Sequence, residues 1–286
     1  MDNTNPVISA EQLWSNMGEA NLRIVDCRFE LTRPDAGRND YLRGHLPGAV
    51  YADLDKDLAA PVASGTGRHP LPDPAELALM FGRLGISTDT KVVVYDDCSG
   101  ALASRAWWLL RWLGHDRAAV LDGGIMRWQS LQLPVEQGGI VVATQDFIAA
   151  PRPELILETT EILAATAESL LLIDARDPAR FRGEVEPIDN VAGHIPGALN
   201  LPFTESLSSD GTWKSEHELR QLWQEVLARN HETPCGVMCG SGVTACHLVI
   251  SALRAGLPEP RLYVGSWSEW ITDPGRPIDA GGVEKG

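Results

Sequence analysis

Two short apolar runs, 92-VVVY-95 and 235-CGVM-238, each precede a stretch whose apolar positions recur every three or four residues, 102-LASRAWWLLRWLG-114 and 243-VTACHLVISALRAG-256. The short, partly β-branched runs fit strands buried on both faces of a parallel sheet. The longer stretches predict helices, and both end at glycine, a frequent C-terminal helix signal. Ahead of the strands lie 73-DPAELALMFGRLG-85 and 215-SEHELRQLWQEVLARN-230. Asp73 followed by Pro74, and Ser215 followed three residues later by Glu218, are N-cap and capping-box patterns. Strand and helix in alternation predict an α/β fold, an open parallel sheet with helices on both faces.

The chain also repeats itself. The segment 24-IVDCR-28 has a counterpart in 173-IDAR-176, 44-GHLPGAVYADL-54 returns as 193-GHIPGALNLPF-203, 73-DPAEL-77 as 215-SEHEL-219, and 123-GGIMRW-128 as 265-GSWSEW-270. The order is kept while the spacing drifts, as in a duplicated domain whose loops have changed. We therefore expect a first domain over residues 1–135, a linker of weak periodicity over 136–155, and a second domain over 156–286.

Composition narrows the functional classes. The 286 residues contain 24 Lys and Arg against 39 Asp and Glu, a net charge of -15 that would repel a phosphate backbone, so nucleic acid is not expected as a partner. The first residues, MDNTNPVISAEQLW, carry no basic region followed by an apolar one, and no run of about 18 apolar residues occurs, so neither an export signal nor a membrane span is expected and a cytoplasmic location is. The five cysteines, Cys27, Cys98, Cys235, Cys239 and Cys246, are too few and too irregularly spaced for a disulfide framework or a zinc finger. No metal or organic cofactor is expected.

One cysteine stands apart from the rest. Aligning the two copies sets Cys239 opposite Asp96, at the C-terminal end of the equivalent strand, where open α/β sheets bind ligands. In 239-CGSGVTA-245 the glycines allow a tight curl that turns backbone amides inward, and the helix that follows adds its positive end. A thiolate there would be stabilised as a nucleophile. Only the second copy has one, so the first copy reads as scaffold.

These motifs, together with GHLPGA and GHIPGA, DARDPARFRGEVEP, SRAWW and GSWSEW, make the chain resemble over nearly its whole length the tandem-domain rhodanese-like sulfurtransferases, and among them the mercaptopyruvate sulfurtransferases. The resemblance implies that Cys239 accepts a sulfane sulfur from a donor as a persulfide and passes it to an acceptor: cyanide, a small thiol or thioredoxin. The backbone of Gly240, Gly242, Val243 and Thr244 would hold the sulfur. A phosphatase on a related loop needs an arginine where this chain has Ala245, because a planar fork must grip phosphate oxygens.

The uncharged Gly240 and Ser241 resemble the 3-mercaptopyruvate type rather than the thiosulfate type. In that type a serine, a histidine and an aspartate act together, matched here by Ser241, by His69 in 67-GRHPLP-72 and by Asp53 in 50-VYADLD-55. Arg180 matches a substrate-binding arginine. The family's second arginine follows the EP dipeptide, and here Ile188 stands in that place, which keeps thiosulfate open as the donor; Arg182 is the nearby candidate to compensate. A reading from a different class, a non-catalytic sulfur carrier or regulatory binding module, is disfavoured by the intact loop.

Other residues have plainer readings. Cys246 fits an inert core thiol. His45 and His194 occur in both copies and fit turn-fixing roles, and Asp26 with Arg28 and Asp174 with Arg176 fit a duplicated ion pair. Ser241 could also serve only as a helix cap. Trp267 and Trp270 fit either the mouth of the site or core packing.

Overall fold

The computed structural model describes residues 5–166, 169–227 and 233–280. The chain forms two compact units: one of Met1–Pro61, Leu71–Pro153 and Leu207–Lys214, the other of Val62–Pro70, Glu154–Ser206 and Ser215–Gly286. The segment 62–70 therefore packs with the second unit, although it lies in the first half of the chain. The stretch 136–155 is not detached from its surroundings. Its amides at Gln145, Ala150 and Arg152 donate to the carbonyls of Gly82, Leu113 and Trp112, all within the first unit.

In the first unit the strands are β1 (Val7–Ile8), β2 (Leu22–Asp26), β3 (Val50–Tyr51), β4 (Lys91–Tyr95) and β5 (Ala118–Leu121), in the order β1-β5-β4-β2-β3 and all parallel. The helices are α1 (Ala10–Asn16), α2 (Ala36–Arg43), α3 (Pro74–Arg83), α4 (Ala103–Trp112) and α5 (Gly124–Ser130). In the second unit, β6 (Leu171–Asp174), β7 (Leu199–Asn200), β8 (Cys235–Met238) and β9 (Arg261–Leu262) run β7-β6-β8-β9, also parallel, with α6 (Thr159–Ala164), α7 (Pro178–Phe181), α8 (Glu216–Leu227), α9 (Ala245–Arg254) and α10 (Ser266–Trp270). The two orders coincide once β1 is removed, and a single parallel bridge from Ile156 to Leu262 stands where β1 would.

The predicted signals act as their chemistry requires. The Asp73 side chain accepts from the amides of Ala75 and Glu76, opening α3. Ser215 and Glu218 bond each other's backbone amides, opening α8; residues 228–230 at the end of that predicted helix lie outside the described residues. Gly114 and Gly256 follow α4 and α9 with φ of +85° and +77°, the left-handed conformation that ends a helix and suits glycine. In α4 every residue but Arg111 is buried, which explains its near-continuous apolar sequence.

The duplicated residues serve structure in both units. Arg28 and Arg176 each grip Asp26 and Asp174 through Nε and Nη2, and each spare Nη2 proton goes to a carbonyl, of Gly44 at 2.7 Å and of Gly193 at 2.8 Å. His45 stacks on Tyr41 and His194 on Phe181, each with Nδ1 2.8 Å from the carbonyl of the residue it stacks on. Trp267 and Trp270 are buried in the core of the second unit with Leu157, Met238 and Tyr263, so neither lines a mouth. No described helix is long and apolar enough to cross a membrane.

Candidate active site

Parallel registers fix the equivalence of Cys239 and Asp96. Asp174 pairs with Met238 as Asp26 pairs with Tyr95, so Cys239 and Asp96 are the first residues beyond matching strands. In the first unit the loop after β4 closes on the Asp96 carboxylate. Oδ1 accepts from the amides of Cys98 and Gly100, and Oδ2 from those of Leu102 and Ala103, at 2.8–3.0 Å. Four backbone donors thus converge on one anion at the position that Cys239 holds in the second unit.

Cys239 is 2% exposed. Its loop is fastened by the turn at the start of α10. The Cys239 amide donates to Ser266 Oγ at 3.0 Å, its carbonyl accepts from the Trp267 amide at 3.0 Å, and the Gly240 carbonyl accepts from the Ser268 amide at 2.8 Å. Ser266 has φ of +54°, a left-handed backbone that a non-glycine residue adopts at a cost of about 1–2 kcal/mol. The equivalent residue of the first unit is Gly124, at φ +55°. Serine is therefore kept here against its backbone preference, and its hydroxyl is what satisfies the buried Cys239 amide. Gly242, at φ +72°, has no room for a side chain, because a Cβ would stand 2.2 Å from the Val264 carbonyl oxygen. Val243 and Thr244 then lead into α9, which starts at Ala245, and Val243 is buried.

Ser241 and His69 meet in the second unit. Ser241 Oγ and His69 Nδ1 are 2.7 Å apart, both residues are buried, and α9 has no side-chain cap, so the serine is not spent on the helix. His69 arrives on the segment 62–70, which lies against α10. The Arg68 amide donates to Ser268 Oγ, and a Cβ on Gly67 would fall 2.6 Å from the Gly265 carbonyl oxygen, so only glycine lets the segment approach. Asp53 is in the first unit, buried, where it accepts from the amides of Asp55 and Lys56 and from Lys56 Nζ.

Arg180, on α7, donates through Nε and Nη2 to Glu186 and through Nη2 to Asp189. Burial acts to raise the Glu186 carboxyl, but Arg180 and the amides of Asp189 and Ile188 outweigh it and hold the group below its usual range. Ile188 is 43% exposed, and Arg182 pairs with Glu184 at the surface, so Arg182 does not compensate for the missing arginine. Arg68, which sequence reasoning passed over, reaches Asp189 at 2.6 Å. Its only signal was adjacency to His69. Ser266 and Ser268 were likewise missed, although the repeat GSWSEW contained them.

The remaining thiols are poorly suited to attack. Burial pushes the Cys235 thiol up to about 12. Burial followed by the carboxylates of Asp26 and Asp96 raises the Cys27 thiol as well, and Cys98 is exposed beside the acidic pair Asp96 and Asp97. Cys246 is fully buried and directs Sγ to the Gly242 carbonyl. Among the described residues no group of three His, Cys, Asp or Glu side chains could hold a metal ion.

Comparison with known proteins agrees with this anatomy. The rhodanese-like domain matches twice, over residues 9–131 and 158–273. The "Probable 3-mercaptopyruvate sulfurtransferase" of Pseudomonas aeruginosa is 48% identical over 278 residues, covering 96% of this chain and 98% of that one. The "Putative thiosulfate sulfurtransferase" of Mycobacterium tuberculosis is 42% identical over 265 residues, 90% of each chain. Among solved structures, the 3-mercaptopyruvate sulfurtransferase of Escherichia coli superposes with a TM-score of 0.82 at 34% identity, covering 93% of this chain and all of the other. Two matching domains, and full-length relatives that share one activity class, establish that the chain belongs to the rhodanese family and is a sulfurtransferase with two rhodanese-like domains.

Proposed function

We propose that the enzyme takes the sulfur of 3-mercaptopyruvate onto Cys239 as a persulfide and delivers it to a thiol or to cyanide. The observation that carries this reading is the 2.7 Å contact between Ser241 and His69 two residues from the buried thiol, because a hydroxyl joined to an imidazole suits proton handling. The Cys239 thiolate attacks the donor sulfur. The carbon–sulfur bond breaks, its electron pair passes to the donor carbon as the enolate of pyruvate, and a proton delivered through Ser241 and His69 gives pyruvate, leaving Cys–S–SH. Asp53 is the proposed third member of that relay, tested by the activity of Asp53→Asn.

Amides of residues 240–244 stabilise sulfur charge as those after Asp96 do for a carboxylate. Arg180 binds the carboxylate of the donor. An acceptor thiolate, from a small thiol or thioredoxin, or cyanide then attacks the outer sulfur and returns Cys239 as thiolate. A cytoplasmic site of action fits the reduced thiols this cycle needs. Thiosulfate is the second reading, favoured by the name of the M. tuberculosis relative and by Ile188.

The test is intact mass after separate incubation with 3-mercaptopyruvate and thiosulfate. One sulfur atom gained from 3-mercaptopyruvate by the wild type and not by Cys239→Ser is the expected result. Loading by thiosulfate alone would reverse the donor assignment, and no gain from either would refute the persulfide.

A further inference from the structure

Position 188 lacks the cation that the resemblance leads one to expect, yet a second guanidinium is present beside Arg180. Arg68 Nη1 donates to Asp189 Oδ1 at 2.6 Å, and Arg180 Nη2 to Asp189 Oδ2 at 3.1 Å, so one carboxylate holds both arginines side by side. Both converge on the backbone next to the thiol. A Cβ built on Gly240 would lie 3.2 Å from Arg68 Nη2 and 3.7 Å from Arg180 Nη1 and Nη2. Arg68 Nε is buried without a hydrogen-bond partner among the described residues. The Arg68 side chain is 23% exposed and that of Arg180 16%, against 5% for Asp189, so the carboxylate is sequestered and the guanidinium faces stay open.

We infer that Arg68 is the second arm of the clamp for the donor's oxyanion end, doing from the 62–70 segment what an arginine at 188 would do, with Asp189 as its positioning residue. This rests on the reading of Cys239 as sulfur acceptor for a 2-oxo thiol acid. The physical logic is local. With isoleucine at 188, residue 189 supplies an acid, and that acid recruits a cation from a segment far away in sequence. Two forks meeting above Gly240 match a carboxylate whose thiol carbon reaches Cys239. Any side chain at 240 would enter that space, which accounts for glycine immediately after the nucleophile.

The two candidate donors share an oxyanion end, planar in 3-mercaptopyruvate and tetrahedral in thiosulfate, and the assignment here is to the planar carboxylate. The experiment compares wild type, Arg68→Met and Arg68→Lys. It measures kcat and KM for 3-mercaptopyruvate, and inhibition by pyruvate and by sulfite, what remains of each donor once its transferable sulfur has left. Loss of a charge-assisted fork is expected to raise KM and the pyruvate inhibition constant by about 10- to 100-fold in Arg68→Met, with kcat within about threefold. Arg68→Lys, which keeps the charge and loses the fork, should fall between.

Unchanged KM and pyruvate inhibition in folded Arg68→Met would overturn the inference, and so would a shift confined to sulfite. If Arg68→Met does not fold, Arg68→Lys decides: kinetics equal to wild type refute a bidentate role. Persulfide mass at saturating donor separates the two levels of the argument. Wild type that gains no sulfur defeats the Cys239 reading, whereas wild type and Arg68→Met that both load, with identical KM, defeat only the role of Arg68.

Discussion

Replacing Asp96 by asparagine changes one oxygen into an amide nitrogen and leaves the shape intact. The consequence follows from the four amides that converge there. Oδ1 serves Cys98 and Gly100, and Oδ2 serves Leu102 and Ala103. Whichever way the asparagine is turned, its NH₂ faces two N–H donors, so one buried amide and one partly buried amide lose their acceptor. An orphaned buried donor costs about 1–3 kcal/mol and a partly buried one less, so the substitution should destabilise the first unit by at least about 1–3 kcal/mol, a sizeable part of the roughly 5–15 kcal/mol that holds a domain together. Urea unfolding followed by tryptophan fluorescence measures this, fitted as separate transitions because two units need not unfold together. Hydrogen exchange at residues 98–103 reads the orphaned amides directly. A loss below about 0.5 kcal/mol with unchanged exchange would show that the loop donors do not act together on the anion, and would weaken the argument that the same loop geometry stabilises sulfur charge at Cys239.

Two other outcomes follow from the same physical grounds. Gly242→Ala should abolish sulfur loading and lower the stability of the second unit by at least about 1–2 kcal/mol, since alanine disfavours φ of +72° and its methyl would collide with the Val264 carbonyl; thermal melts and intact mass check both halves. Burial lowers the pKa of His115 below its ordinary value, so the folded protein resists protonating it. Above about pH 6.5 the residue is neutral in both states; as pH falls through that value the unfolded chain binds the proton first and stability drops, until the folded-state pKa is passed. Urea midpoints between pH 8 and pH 5 should therefore fall less in His115→Gln than in wild type, and identical slopes would refute the assignment.

Much of the fold was legible because its signals are short-range. The apolar runs at 92–95 and 235–238, the caps at Asp73 and Ser215 and the closing glycines 114 and 256 depend on neighbours within a few residues. The proposed nucleophile stood out for the same reason, since CGSGVTA carries its own loop and helix start. Arg68 was not, because its meaning comes from Asp189, 121 residues away in the chain. Nor was the support that Ser266 gives the Cys239 amide, which exists only once a left-handed backbone turns that hydroxyl toward the loop. Trp267 and Trp270 had two readings because a tryptophan's sequence neighbours do not say which side is buried.

The segment 62–70 also bears on how the molecule is made. Its hydrogen bond from Arg68 to Ser268 joins residues 200 apart. On a ribosome adding roughly 5–20 residues per second, His69 and Arg68 leave the tunnel about 10–40 s before their partner turn exists. During that interval the segment waits without its seat, and Cys239 emerges ahead of the turn that bonds it on both sides. A nascent chain interrupted at Val264 holds Cys239, Ser241 and Arg68 yet lacks Ser266, Trp267 and Ser268, the residues to which the backbone of Cys239 and Gly240 and the Arg68 amide are hydrogen-bonded.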